Sequence, residues 1–196
     1  SKSQINLLHA ALIESRICAQ TDPLTGVANR RGFHERLRDE IARYKVNARR
    51  FCLVMADIDH FKRINDEYSH ATGDAVLREV ALRLNNTSRR SDTVARWGGE
   101  EFLVLAIDTD SPQAQQLGER LAEAIRATPF VGQIRVTLSV GVTCYKSGDN
   151  LARLLSRVDA ALYRAKEAGR DRLDVTETTD AGMMTFSWRG GYFLSQ

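Results

Sequence analysis

The sequence predicts an α/β sandwich with a mixed sheet, and three observations predict it. Phe51-Cys52-Leu53-Val54-Met55-Ala56 is a continuous apolar run ending in Asp57, the pattern of a central strand buried on both faces. Two strand-like stretches, 92–96 and 102–107, flank Gly98-Gly99-Glu100-Glu101, which reads as the tip of a hairpin. Amphipathic helical segments alternate with these strands along the chain. A chain of 196 residues, 43% hydrophobic and 27% charged, suits one soluble domain of about 150 to 170 residues with flanking pieces.

Residues 4–19 carry Ile5, Leu8, Leu12 and Ala19 on a heptad-like stripe and read as a helix. It is either packed on its own domain or the end of a coiled-coil stalk, and the heptad is too short to choose. The turn Thr21-Asp22-Pro23-Leu24-Thr25-Gly26 leads to a helix from about Phe33 to Tyr44. After the central strand, Asp59 reads as the N-cap of a short helix from His60 to Asn65. Residues 72–85 are amphipathic, with Asp74 placed in the first turn, where the helix dipole favours a carboxylate. Beyond the hairpin, 112–127 is helical. Ile134, Val136, Leu138, Val140 and Val142 alternate with small or polar residues as a half-buried strand over 134–143. Asn150 caps a helix over 151–168 that ends at Gly169, and Leu173 to Val175 is a last short strand. The chain thus divides into a helix (1–20), a domain (21–175) and an aromatic, glycine-rich tail (176–196) to which the pattern assigns no structure.

A net charge of +3 agrees with small anionic ligands and is too weak and too dispersed along the chain to argue for nucleic acid, which is not expected as a partner. Cys18, Cys52 and Cys144 are odd in number and far apart, which suggests reduced thiols in a cytoplasmic protein. No apolar run approaches the roughly 20 residues of a membrane span. The chain opens at a serine and runs straight into a helical pattern, so an upstream sensory domain is expected to lie outside it.

The hairpin carries the chemistry. Its glycines are expected to supply positive φ and to leave the tip open to a ligand. Adjacent carboxylates repel each other, and a divalent cation is the economical remedy. A solvated polar turn is the alternative for this stretch alone. Asp57, emerging from the central strand beside such a hairpin, would face the same space.

Gly98-Gly99-Glu100-Glu101-Phe102 resembles the signature of the GGDEF family of diguanylate cyclases, in its GGEEF form. The likeness extends to Asp22-Pro23-Leu24-Thr25-Gly26 with Asn29-Arg30-Arg31, and to Asp57-Ile58-Asp59-His60-Phe61-Lys62-Arg63-Ile64-Asn65-Asp66. His70 with Gly73-Asp74, Ser139-Val140-Gly141-Val142 and the run Asp159 to Arg170 follow in order. Ser69 departs from the family pattern, which has glycine there. The resemblance covers about residues 21–175. It implies a central five-stranded mixed sheet wrapped by helices, similar to nucleotidyl cyclases and polymerase palms.

It also implies an activity: two GTP condense to cyclic di-GMP and two pyrophosphates, each 3′-hydroxyl attacking the other's α-phosphate across a homodimer. By resemblance Asp57, the carbonyl of Ile58, Glu100 and Glu101 hold Mg²⁺ or Mn²⁺, two ions per site, and Glu100 takes the 3′-hydroxyl proton. Phe61, Lys62, Asn65, His70, Asp74, Gly98, Gly99, Lys166 and Arg170 bind GTP. Asn65 and Asp74 read guanine, whose N1–H and N2 amine suit a carboxylate where adenine offers an acceptor. Arg89 and Asp92, with Arg120 from a neighbouring subunit, form a product-inhibition site for cyclic di-GMP. The alternative class is a catalytically silent module that senses GTP or cyclic di-GMP.

Overall fold

The strand Phe51–Ile58 (β1) is buried at all eight positions, and the chain is arranged around it. A computed structural model describes residues 2–179 and 182–188. In chain order the helices are α1 (Lys2–Gln20), α2 (Arg30–Asn47), α3 (Phe61–Glu67), α4 (His70–Thr87), α5 (Ser111–Arg126) and α6 (Leu151–Glu167). The other strands are β2 (Thr93–Arg96), β3 (Glu101–Ile107), β4 (Leu138–Cys144), β5 (Arg172–Thr179) and β6 (Gly182–Trp188). They form one sheet in the order β2-β3-β1-β4-β5-β6, antiparallel except for the β4–β5 pair.

Period-two alternation divides β1 between two cores. Cys52, Val54, Ala56 and Ile58 face α4 and α5, meeting Val76, Val80, Leu84, Leu117 and Leu121. Phe51, Leu53 and Met55 face α2 and α6, meeting Phe33, Leu37, Leu154, Val158 and Leu162. Covering both faces is what a continuous apolar run demands.

The cores hold because the helices begin and end on satisfied groups. Asn29 accepts the Gly32 N–H at 2.9 Å to open α2, and Asn150 accepts the Arg153 N–H at 2.8 Å to open α6. Asp110 and Gln113 make a capping box on α5. The far end of α5 is closed from α4. Arg83 donates to the carbonyls of Thr128 (2.8 Å), Ile125 (3.3 Å) and Pro129 (3.3 Å) and lies 4.0 Å over the Phe130 ring.

Four expectations are corrected. The strand over 134–143 begins only at Leu138; residues 131–133 make a 3₁₀ turn, although Ile134 and Val136 are still buried. Nor is β4 half-buried. Its small residues are small because α6 crosses them, and a Cβ on Gly141 would stand 2.4 Å from the Leu162 backbone nitrogen. Cys52 and Cys144 are joined in a disulfide rather than held as separate thiols. They are directly opposite in the β1–β4 register, a proximity that their distance in sequence hides. Finally, the tail contributes β6, which pairs antiparallel with a lengthened β5 and adds a sixth strand to the expected five.

The end of α1 is tied to the domain. Asn29 Nδ2 donates to Ala19 O at 3.0 Å, and a Cβ on Gly32 would meet Gln20 O at 2.4 Å. Ile5 and Ile17 of α1 are exposed. No helix among the described residues is long and apolar enough to cross a membrane.

Candidate active site

Antiparallel pairing of β1 with β3 sets Asp57 directly opposite Glu101. The Ile58 N–H donates to Glu100 O at 3.2 Å, so the end of β1 and the hairpin tip are held as one edge. From the last turn of α6, Lys166 Nζ reaches Asp57 Oδ2 at 2.7 Å.

All three carboxylates sit above their usual range. For Asp57 burial is the main cause; the hydrogen bond and charge of Lys166 oppose it, and Asp59 adds to it. For Glu100 and Glu101 burial again leads, followed by repulsion from Asp57, with Lys166 opposing. Burial and crowding therefore outweigh Lys166 and the more distant Arg30 and Arg170. A cluster of oxygen donors that these cations leave under-neutralised fits a hard divalent ion. The fit is incomplete in the protein alone: among the described residues no three carboxylate, imidazole or thiol groups converge as a ready-made cage.

The two tip glycines do not supply the positive φ expected of them. Neither Gly98 nor Gly99 has positive φ. At Gly98 a Cβ would stand 2.7 Å from Glu101 Oε2, so the absent side chain makes room for the carboxylate. At Gly99 nothing lies within 4 Å of that position, which leaves the backbone open to a ligand. Arg96 holds the tip by donating from Nη2 to Gly99 O at 2.7 Å, and its Nη1 lies 3.5 Å from Asp22 Oδ2. Trp97 is stacked on His34, with ring centroids 5.1 Å apart, and Arg30 Cζ lies 4.3 Å from its ring. Sequence reasoning assigned no role to these residues; the aromatic beside Gly98 was the available signal.

The nucleotide-reading residues meet where α3 and α4 approach. A Cβ on Gly73 would stand 1.9 Å from Asn65 Oδ1 and 3.2 Å from Phe61 Cζ, so Phe61, Asn65 and the start of α4 are packed together. Asp74 is in the second turn of α4, not the first, because the helix starts at His70 and Ser69 caps it through the Thr72 N–H at 3.1 Å. The dipole thus gives Asp74 little reason to be acidic, and among the described residues its half-buried carboxylate has no hydrogen-bond partner. The serine that departs from the family pattern is the cap. Lys62, His70 and Arg170 are exposed around this edge.

Asp59 is not a helix cap. His60 occupies that position, with φ 58° and no side-chain cap, while Asp59 is buried and accepts from Thr137, Ser139 and the Asp171 N–H.

Arg89 and Asp92 lie at the other end of the hairpin. Asp92 Oδ1 accepts the Ile107 N–H at 3.2 Å and Oδ2 accepts the Arg89 N–H at 2.9 Å. Six residue steps of β3 separate Ile107 from Glu101, roughly 20 Å. Asp92 borders a cavity of about 410 Å³ that Thr25, Arg36, Leu82, Asn85 and Arg90 also line. The Arg89 side chain is exposed beside it, and Arg120 is exposed on α5.

A palm-like sheet with clustered carboxylates at one edge defines a nucleotidyl-transfer fold. The sequence profile described as "Diguanylate cyclase, GGDEF domain" matches residues 19–172, and the chain belongs to that family. It is 46% identical over 170 residues to "Diguanylate cyclase DgcP" of Pseudomonas aeruginosa, a match covering 85% of this chain and 25% of that protein. The chain therefore spans about a quarter of that relative's length. Among solved structures, the coiled coil and GGDEF domain of DgcB from Caulobacter crescentus in complex with c-di-GMP aligns with a TM-score of 0.82. The identity is 29%, with 89% of this chain and 94% of that one covered. The active GGEEF domain of a diguanylate cyclase from Vibrio cholerae aligns at a TM-score of 0.74 and 32% identity, covering 78% and 99%.

Proposed function

We propose that this domain condenses two GTP into cyclic di-GMP and two pyrophosphates, working as a cytoplasmic homodimer in which each subunit binds one nucleotide. One observation carries the reading: Asp57 and Glu101 face each other beside Glu100 under an open glycine tip, with Lys166 at 2.7 Å.

Asp57, the Ile58 carbonyl, Glu100 and Glu101 would hold Mg²⁺ or Mn²⁺, two per site. Bound there, such ions supply charge neutralisation for the triphosphate and acidify the attacking hydroxyl. Lys166, Lys62 and Arg170 bind phosphate oxygens, and Lys166 exchanges its hold on Asp57 for them as the nucleotide enters. Glu100 takes the 3′-hydroxyl proton on its carboxylate, and the burial that raises its pKa makes it a better base near neutrality. Asp74 and Asn65 accept from and donate to the guanine edge, with Phe61 and His70 lining the pocket. Gly98 and Gly99 admit the phosphates to the backbone.

A face-to-face pair of sites needs two copies. The exposed apolar residues of α1 suit a helical dimer contact, driven by an upstream sensory domain. Arg89 and Asp92, with Arg120 of a second copy, bind the product far from the reacting phosphates and restrain turnover. The cavity beside Asp92 supports that reading.

The test is incubation with GTP and Mg²⁺ at high and low protein concentration, with chromatography for cyclic di-GMP. Product whose specific rate rises with protein concentration is expected, and Glu100→Ala should abolish it. GTP binding with no product at any concentration, even after fusion of a dimerising coiled coil ahead of residue 4, would identify a sensor instead.

A further inference from the structure

Asp59 is a buried charge for which the chemistry above has no use. It follows β1 by one residue, and its partners lie on the β4 side, across β1 from the strand that carries Glu101. Its Oδ1 accepts from Ser139 Oγ at 2.6 Å. Its Oδ2 accepts from Thr137 Oγ1 at 2.7 Å and from the Asp171 backbone N–H at 3.0 Å. The Asp59 N–H donates to Thr137 O at 3.0 Å. One carboxylate thus joins the end of β1, the entry to β4 and the turn between α6 and β5.

That turn is unusual. Gly169, Arg170 and Asp171 have φ of 111°, 60° and 45°, three left-handed residues in succession, two of which carry side chains. Such a run persists only where its surroundings hold it. The Asp171 N–H bond to Asp59 does so from the sheet, and the Arg126–Asp171 ion pair at 2.9 Å does so from α5. The turn carries Arg170 and directly follows the last turn of α6, which carries Lys166.

We propose that Asp59 is a positioning residue: its anchored carboxylate fixes the 169–171 turn so that Arg170 and Lys166 are presented to the nucleotide triphosphate. The inference rests on the GTP-binding reading above. Its physical content is acceptance, not charge. Thr137 and Ser139 hydroxyls rotate and can accept as well as donate, whereas the Asp171 N–H only donates. An asparagine at this position, with its oxygen toward Asp171 and its amide toward Ser139, satisfies every partner. An alanine leaves the backbone donor buried and unanswered.

The experiment compares Asp59→Ala and Asp59→Asn in the whole chain by amide hydrogen exchange and by GTP titration with Mg²⁺. In Asp59→Ala, exchange at Asp171 should rise at least about tenfold and GTP affinity fall about tenfold, while kcat stays within about threefold. Asp59→Asn should keep all three within about threefold of the parent. Unchanged exchange at Asp171 in Asp59→Ala overturns the proposal. So does an Asp59→Asn as damaged as the alanine, since that outcome demands the charge itself. If Asp59→Ala fails to fold, Thr137→Val removes one of the bonds that orient Oδ2 and should raise Asp171 exchange about threefold; no rise overturns the proposal equally. A parent chain that does not bind GTP would refute the proposed function, and the exchange measurements would still decide the anchor.

Discussion

Replacing the two tip glycines with alanine separates space needed by the protein from space needed by its ligand. At Gly98 the new Cβ would stand 2.7 Å from Glu101 Oε2, and about 0.7 Å must be recovered to reach ordinary contact. The obstructing atom is the end of a side chain, with the Glu101 Cδ already 3.6 Å away, so rotation of the carboxylate absorbs the clash. The expected loss of stability is below about 1 kcal/mol. On the proposed function a displaced carboxylate matters more, because an error of about 1 Å in a catalytic group reduces rate about a hundredfold and about 0.7 Å roughly 25-fold. Gly99 is the contrasting position. No atom lies within 4 Å of its Cβ and its φ is not positive, so Gly99→Ala should leave the fold unchanged or slightly stabilised, by up to about 1 kcal/mol. Its cyclic di-GMP production should nevertheless fall at least about tenfold, since the added methyl enters the space reserved for phosphate. The assay pairs urea denaturation with product formation at saturating Mg²⁺. A Gly99→Ala enzyme with parental GTP turnover, or a Gly98→Ala protein destabilised by more than about 3 kcal/mol, would refute the reasoning.

The same geometry yields three further expectations. Arg83→Ala removes the guanidinium that closes α5 and should cost about 2 to 3 kcal/mol in urea denaturation, leaving GTP affinity unchanged; a loss under about 0.5 kcal/mol would show that water replaces it. Burial and Asp57 hold Glu101 above the ordinary value of 4.5, so the folded chain binds its proton more readily than the unfolded one. That contribution to stability is complete below the unfolded pKa and is lost as pH rises through the raised folded value. Glu101→Gln should therefore stabilise the protein by up to about 1 kcal/mol at about pH 7.5, with the gain vanishing toward pH 4 in thermal melts; equal gains at both pH values would exclude repulsion as the cause. Asp74→Ala should reduce the preference for GTP over ATP about a hundredfold in competition binding, and an unchanged ratio would place guanine recognition elsewhere.

Legibility followed locality. The central strand was readable because burial on both faces leaves an unbroken apolar run. The cap Asn150 was readable because a cap acts within three residues. β4 misled because Ser139, Gly141 and Thr143 look like a solvent face, although α6 buries them. Asp59 misled for a related reason: a carboxylate before a short helix satisfies the local rule for a cap, while its real donors lie on β4 and after α6. The Cys52–Cys144 pair and the Trp97 stack depend on strand register and helix packing, which no local pattern encodes. Family resemblance singled out Lys166 as a GTP-binding residue, but its ion pair with Asp57 was not legible, since a lysine in the last turn of a helix is ordinarily explained by the dipole alone.

Because β1 lies between two antiparallel neighbours, the reacting edge has no local precursor. Residues 57, 101, 139 and 166 come from well-separated parts of the chain, and none is near another until the sheet has closed around β1. Long-range pairing of this kind is slow, because loop entropy is spent before the contacts reward it. A nascent or partly folded chain therefore carries scattered carboxylates of ordinary acidity and no concentrated charge for a cation to find. On the proposed function, metal affinity and catalytic competence should arrive together in the last cooperative step of folding, so divalent-ion binding would report completion of the sheet rather than its onset.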